Sequence, residues 1–202
     1  MPTPSLPLSS RGRATRERLL TAARKVFEER GFVDTRIAHI ASTAGVAYGS
    51  FYTHFPSKEA IFYEVASRLF DEMFATDPST SRPASPRERL EQANRNYCAR
   101  YRENAALMAI VEQVATIDEG FRSLRQSHRR TTTERTARSI RRWQAEGLVS
   151  VDLDAYVAAQ ALGAMVDRTL YLRYVLGESD ANDNVVDTLN LLTVQALGLP
   201  RD

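Results

Sequence analysis

The segment Thr43-Ala-Gly-Val46-Ala-Tyr-Gly-Ser50-Phe-Tyr-Thr-His-Phe55 decides how the chain is read. One glycine, Gly45, lies between two short apolar-periodic stretches, and a second, Gly49, lies inside the later one. A glycine within a helix costs roughly 1 kcal/mol relative to alanine, and a helix this short has little stability to lose. At the 100° per residue of a helix, Ala47, Phe51 and Phe55 point one way and Gly49 and Thr53 the other, with Tyr48, Ser50, Tyr52 and His54 flanking the outer face. An aromatic anchor beneath an outward glycine suits a helix whose outer face is pressed against another surface.

Upstream, Leu19, Leu20, Ala23, Val26 and Phe27 mark one face of a helix from about Ala14 to Arg30, stopped by Gly31. Thr35 is placed to cap a second helix through Ile37, Ile40 and Ala41 that ends before Gly45. The third helix is expected from about Ala47 to Phe55. Downstream, Ser57 and Glu59 suit the cap and first turn of a fourth helix running to about Phe74. Residues 76 to 84 have linker composition, and Ser85-Pro-Arg-Glu88 is a capping box opening a fifth helix. Four more are expected at Ala105 to Ile117, Asp118 to Glu146, Asp154 to Leu176 and Asp183 to Leu197. No alternating run makes a sheet, and no internal repeat or low-complexity tract is visible, so the expected fold is all-α with about nine helices.

A chain of 202 residues can bury a core without disulfides. The single cysteine, Cys98, can form no intrachain bridge and suits a reducing compartment, where it reads as a small apolar residue. No window approaches the ~20 apolar residues of a membrane span. The proline-containing start, residues 1 to 13, lacks a signal peptide's apolar core and reads as a flexible arm. A soluble cytoplasmic protein follows as an expectation. The net charge of +2 conceals an asymmetry: residues 1 to 64 carry nine Arg and Lys against six Asp and Glu, the remainder 18 against 19. Positive charge in the N-terminal third fits a nucleic-acid surface and equally a solvated helix face.

Two short helices joined by a tight glycine turn form a helix-turn-helix, which lays its second helix in the DNA major groove. The same geometry also occurs in bundles that never meet DNA. The residues Arg16, Leu19, Leu20, Ala22, Ala23, Phe27, Gly31 and Phe32, followed by Ile40, Ala41, Ala44, Gly45, Val46, Gly49, Phe51, Tyr52, His54, Phe55 and Lys58, resemble in order and spacing the N-terminal domain of TetR-type transcriptional regulators. The resemblance covers about 60 residues. It implies a three-helix DNA-binding domain at 14–58, with the helix-turn-helix at about 35–54, and a helical effector-binding and dimerisation domain at 59–202.

Carried over position by position, the resemblance assigns Tyr52, His54 and Lys58 to phosphate contacts and Tyr48, Gly49 and Ser50 to base reading, with Ala47 and Thr53 on the same helix. Thr35 and Arg36 fall where the second helix begins beside the DNA backbone. The family pattern has a second small hydroxyl residue where this chain has Arg36, which an arginine can replace with a longer reach. Ala38 offers no side-chain hydrogen bond, which leaves specificity to the third helix. Arg11, Arg13, Arg16 and Arg18 fit an arm entering a minor groove as well as a solvated tail.

For the remainder, the resemblance implies a homodimer enclosing a small-molecule pocket, and the closing helices are loosely similar to regulators of lipophilic effectors. The small residues of helix eight (Ala158, Ala159, Ala161, Gly163, Ala164) and the apolar residues of helix nine suit a four-helix dimer interface through 154–176 and 183–197. Helix seven carries a stripe that is apolar at both ends and polar in the middle: Phe121, Leu124, His128, Thr132, Arg135 and Trp143. With Tyr97, Tyr101, Met108, Met165 and Leu172 it would wall an effector cavity; plain core is the other reading. Eight arginines between 122 and 142 would either attract an anionic effector or pair with acidic residues of the C-terminal part.

The expected function is a ligand-responsive regulator, a repressor released from a palindromic operator in double-stranded DNA by a small hydrophobic effector. The alternatives are a DNA-binding regulator without an effector and a helical protein–protein adaptor. No cofactor and no enzymatic activity are expected: His39, His54 and His128 lie on separate helices without metal-ligand spacing, and no nucleophile, phosphate-loop or dinucleotide motif is present.

Overall fold

The computed structural model describes residues 9–75, 85–178 and 184–200. The proposed linker at 76–84, the first eight residues of the arm and Asp183 lie outside these. All regular structure among the described residues is helical: α1 (Ser10–Arg30), α2 (Ile37–Thr43), α3 (Tyr48–Tyr52), α4 (Lys58–Phe74), α5 (Pro86–Glu103), α6 (Ala105–Ile117), α7 (Glu119–Ala145), α8 (Ala155–Tyr174) and α9 (Val185–Leu197). The chain divides into two compact units, residues 1–69 and 70–202, with the boundary inside α4. None of these helices is long and apolar enough to cross a membrane.

In the first unit α1 begins at Ser10, four residues ahead of the expected Ala14. Ser9 caps it by accepting the Gly12 amide at 3.2 Å, a signal obscured by the prolines before it. Its inner stripe, from Leu19 to Phe27, is buried. Phe27, Phe32 and Phe62 make a triangle of rings with centroids 5.0 to 5.9 Å apart. Polar ties join α1 to α4: Arg16 donates through both guanidinium nitrogens to Glu64, and Arg68 donates to Glu17 at 2.5 and 2.7 Å. That bond holds the Glu17 carboxyl below its ordinary range.

The turn after α2 explains Gly45. The Val46 amide donates to Ala41 at 3.0 Å and the Gly45 amide to Ser42 at 3.1 Å, the paired bonds of a Schellman stop. That stop needs a left-handed residue, and Gly45 supplies φ 64°.

In the second unit, α5 opens on the expected capping box, with Ser85 and Glu88 each accepting the other's amide. α7 packs against α6 and α8, and α5 against α9. One core cluster joins Ala137, Ile140 and Trp143 of α7 to Val149, Ala155, Ala159, Val194, Leu197 and Leu199. Tyr101, Leu107, Met108, Val111 and Phe121 are buried elsewhere in the unit. Cys98 is 1% exposed, and burial pushes its thiol up to about 11.

A thiol held neutral this way should resist aromatic disulfide reagents in the native protein at pH 8 and react fully only in denaturant. The thiol's folded-state value lies above its unfolded value of 9.0, so its contribution to stability is complete below pH 9 and fades as pH rises toward 11. Stoichiometric labelling of native protein within minutes would contradict this burial.

Candidate nucleic-acid interface

α3 is shorter than expected, five residues in place of nine. Ala47 is its extended N-cap, and the helical bonds end in a turn through Thr53 and His54, whose amide donates to Phe51 at 2.9 Å. The chain reaches Pro56 two residues later, which disfavours continuing the helix through Phe55. Phe51 and Phe55 are buried as expected, their rings 5.9 Å apart. Ala47 does not share their inward direction. As the N-cap it lies outside the helical period, and it is exposed.

On the outer side Tyr48 and Tyr52 are 54% and 49% exposed and act as one object. Their hydroxyls hydrogen-bond at 3.0 Å and their rings meet edge to face at 5.6 Å. The hydrogen bond with Tyr48 raises the Tyr52 phenol above its ordinary range. One phenolic proton is used between them, which leaves the other free to donate outward. Beside this ridge a Cβ added at Gly49 would meet nothing within 4 Å, so the glycine leaves open space on the exposed face. Thr53 is exposed and Ser50 half-buried.

The other positions assigned from the resemblance divide. Arg36 is exposed, with its guanidinium unpartnered among the described residues, and Ala38 is exposed beside it. Thr35 does not cap α2. It is 2% exposed and its hydroxyl donates to the Gly31 carbonyl at 2.6 Å, while Arg36 occupies the N-cap and donates its amide to His39 Nδ1 at 3.3 Å. A phosphate contact from Thr35 would therefore have to use its backbone. Lys58 is also engaged inside the unit: Nζ donates to the Phe32 and Val33 carbonyls at 2.8 and 3.4 Å and sits 4.4 Å from the Phe32 ring centroid. Arg16 is committed to Glu64 and lies over the Phe55 ring at 4.7 Å, which removes it from any arm. His54 is half-buried, with a buried Nδ1 that has no partner.

The residues expected to wall an effector cavity also divide. Tyr101, Met108 and Phe121 are buried, and Tyr97, Leu124, His128, Thr132, Met165 and Leu172 are half-buried. Arg135 is exposed, and Trp143 belongs to the cluster around Val149 and Leu197. Burial along α7 passes from Phe121 and Arg125 to Ala137, Ile140 and Trp143, and leaves Arg135 in the middle of the expected stripe exposed. Arg125, one of the eight arginines expected either to attract an anion or to pair with acidic residues of the C-terminal part, is 8% exposed and central, a burial the sequence did not announce. It donates to Glu112 at 2.8 Å, lies 3.8 Å from Asp167 and stands over the Phe70 ring at 5.1 Å. Arg129 pairs with the same two carboxylates, and Tyr97 donates to Asp167 at 2.9 Å. Burial, and then the Asp167 charge, push the Tyr97 phenol well above its ordinary range, and burial does the same to Tyr101. The signal for Arg125 was its place one turn after Phe121, on the same face.

A glycine-turned helix pair with a solvent-facing second helix, followed by a separate helical unit, is the arrangement found in helix-turn-helix regulators. Residues 19–65 match the family model described as bacterial regulatory proteins, tetR family. The N-terminal part is 47% identical over 58 residues to the uncharacterized helix-turn-helix-type transcriptional regulator YdgC of Bacillus subtilis (strain 168), and 38% identical over 78 residues to the transcriptional repressor DhaR of Mycobacterium sp. (strain GP1). These alignments cover 29% and 38% of this chain and only 30% and 39% of those relatives. The crystal structure of a TetR-like transcriptional regulator from Rhodococcus sp. RHA1 superimposes with a TM-score of 0.67 at 26% identity, covering 96% of this chain and 98% of that one. Over residues 19–65 the chain therefore carries a tetR-type N-terminal domain, and along its length it shares the fold of a TetR-like regulator.

Two substitutions test this geometry by stability alone. Lys58→Ala should lower the stability of the first unit by about 1–2 kcal/mol, because two carbonyls and a ring lose their cation. Gly49→Ala should leave stability unchanged or raise it by up to about 1 kcal/mol. Urea unfolding followed by circular dichroism checks both; a stable Lys58→Ala, or a Gly49→Ala that unfolds early, would contradict the contacts described.

Proposed function

We propose that the protein is a homodimeric DNA-binding transcriptional regulator, a repressor, that leaves a palindromic operator when a small hydrophobic molecule binds its second unit. The observation that carries the DNA part is the solvent-facing Tyr48–Tyr52 ridge beside the open Gly49, held over buried Phe51 and Phe55, within the stretch matching the family model. Ridge and gap would enter a major groove, where phenols and hydroxyls reach base edges and thymine methyls while Arg36 and Thr53 meet the backbone. The repressor DhaR, similar over the same region, supports the direction of control. Such a protein works where DNA is, in the cytoplasm.

Homodimer formation is supported by apolar surface on the two last helices. Val157, Leu191 and Leu192 are 59%, 48% and 44% exposed, and Ala161, Gly163 and Ala164 leave a low surface on α8 that a second copy can approach closely. Two recognition helices would then read half-sites about 34 Å apart. For the effector, the support is the aromatic set of Phe70, Phe74, Tyr97, Tyr101 and His128 around a polar centre. The closed pairing of Arg125 with Glu112 and Asp167 favours the second reading, a regulator without an effector.

Selection from a random duplex pool should return palindromes bound in a salt-sensitive manner. Tyr48→Ala should change the selected sequence, and a bulky residue at Gly49 should weaken binding more than tenfold without unfolding the protein. Recovery of no enriched sequence would contradict the DNA reading. Replacing Leu191 and Leu192 by glutamate should give monomers by sedimentation and lose most operator affinity; an unchanged dimer would mean that another face pairs the subunits. A panel of lipophiles that neither shifts thermal stability nor releases the duplex would leave the regulator without its effector.

A further inference from the structure

The first unit holds a cleft of about 350 Å³ between the start of α1 and the end of the helix-turn-helix. One wall is a stripe of α1, Arg11, Thr15 and Arg18, spaced i, i+4 and i+7 so that all three share a face two turns long. The other is Ser50, Thr53 and His54. No carboxylate lines it. Both arginines are exposed and neither has a partner among the described residues, in contrast to Arg16 one face away, which is committed to Glu64. The buried Nδ1 of His54 is likewise unpartnered, and the Ser50 and Thr53 side chains line the same cleft.

Two free guanidinium groups and two hydroxyls in one concavity without a carboxylate have the chemistry of an anion site. The geometry points to a phosphate seat in which Arg11 and Arg18 grip a phosphate group from the α1 side while Ser50 and Thr53 hydrogen-bond it from the other. Guanidinium groups match phosphate oxygens in pairs, and small hydroxyls fit between them. On the DNA-binding reading, on which this assignment rests, the phosphate is a backbone diester flanking the bases that α3 faces. Arg11 and Arg18 then bind through helix α1 and not through a minor-groove arm. The seat would fix how α3 enters the groove while carrying no base preference of its own.

The test compares wild type, Arg11→Gln, Arg18→Gln and the double variant in the full-length protein, using a duplex selected by wild type and a random-sequence duplex of equal length. Both arginines are exposed, so thermal midpoints should be unchanged. The slope of log affinity against log salt should shrink by about one unit for each arginine removed, with affinity lost equally on both duplexes. An unchanged slope in the double variant overturns the seat while DNA binding stands. Altered preference for A·T-rich flanks overturns it in favour of a minor-groove contact. Inorganic phosphate at constant ionic strength distinguishes the sources: competition lost in the double variant shows that the seat also takes free phosphate, and its absence confines the seat to the diester. If wild type binds no duplex, the DNA reading falls, and calorimetry with inorganic phosphate decides the seat alone, with heat in wild type supporting it and none overturning it.

Discussion

The burial of Phe51 and Phe55 is the contact on which the functional surface of the first unit depends, because a helix of five residues has no independent stability in water. Each fully buried phenylalanine contributes on the order of 2–3 kcal/mol, more than the roughly 1 kcal/mol that Gly49 costs its helix. That surplus lets the outer face be chosen for something other than helix stability. It carries a glycine where alanine would be better, and two tyrosines that bond each other instead of the protein interior. Gly45 sets the direction in which this face points by ending α2 in a left-handed turn.

Around that anchor, charged groups serve two distinct ends. Arg16, Lys58 and Arg68 are tied to carboxylates or carbonyls and hold α1, the α1–α2 loop and α4 as far as Arg68 together. Arg11, Arg18 and Arg36 are exposed and unpaired among the described residues. The second unit uses the same economy more tightly. Arg125, almost fully enclosed, is tolerated because Glu112 and Asp167 neutralise it and an aromatic face covers it.

The sequence was legible where local rules decide. Helix order, the capping box at Ser85, the glycine turn and the inward phenylalanines all follow from spacing and from residues within one turn of each other. Legibility failed where contacts join distant segments. Nothing near Lys58 announces that its ammonium will be held by carbonyls 25 and 26 residues upstream, and nothing near Thr35 tells that its hydroxyl will turn inward to Gly31. The α7 stripe was legible only at its ends for a related reason: Phe121 and Trp143 are both buried, but between them burial passes to Ala137 and Ile140 and leaves Arg135 exposed, as the helix meets different neighbours. The short α3 is an overextension of a pattern that Pro56 had already limited.

The central claim is that one exposed face, built on Phe51 and Phe55, is where this protein meets DNA. Amide chemical shifts of isotopically labelled protein, followed during titration with a selected duplex, test it most directly. The account predicts that the largest changes fall on residues 47–54, with a second group at 11–18 and a third near Arg36. Shifts centred on the arginine-rich face of α7, or spread evenly over the chain, would contradict it.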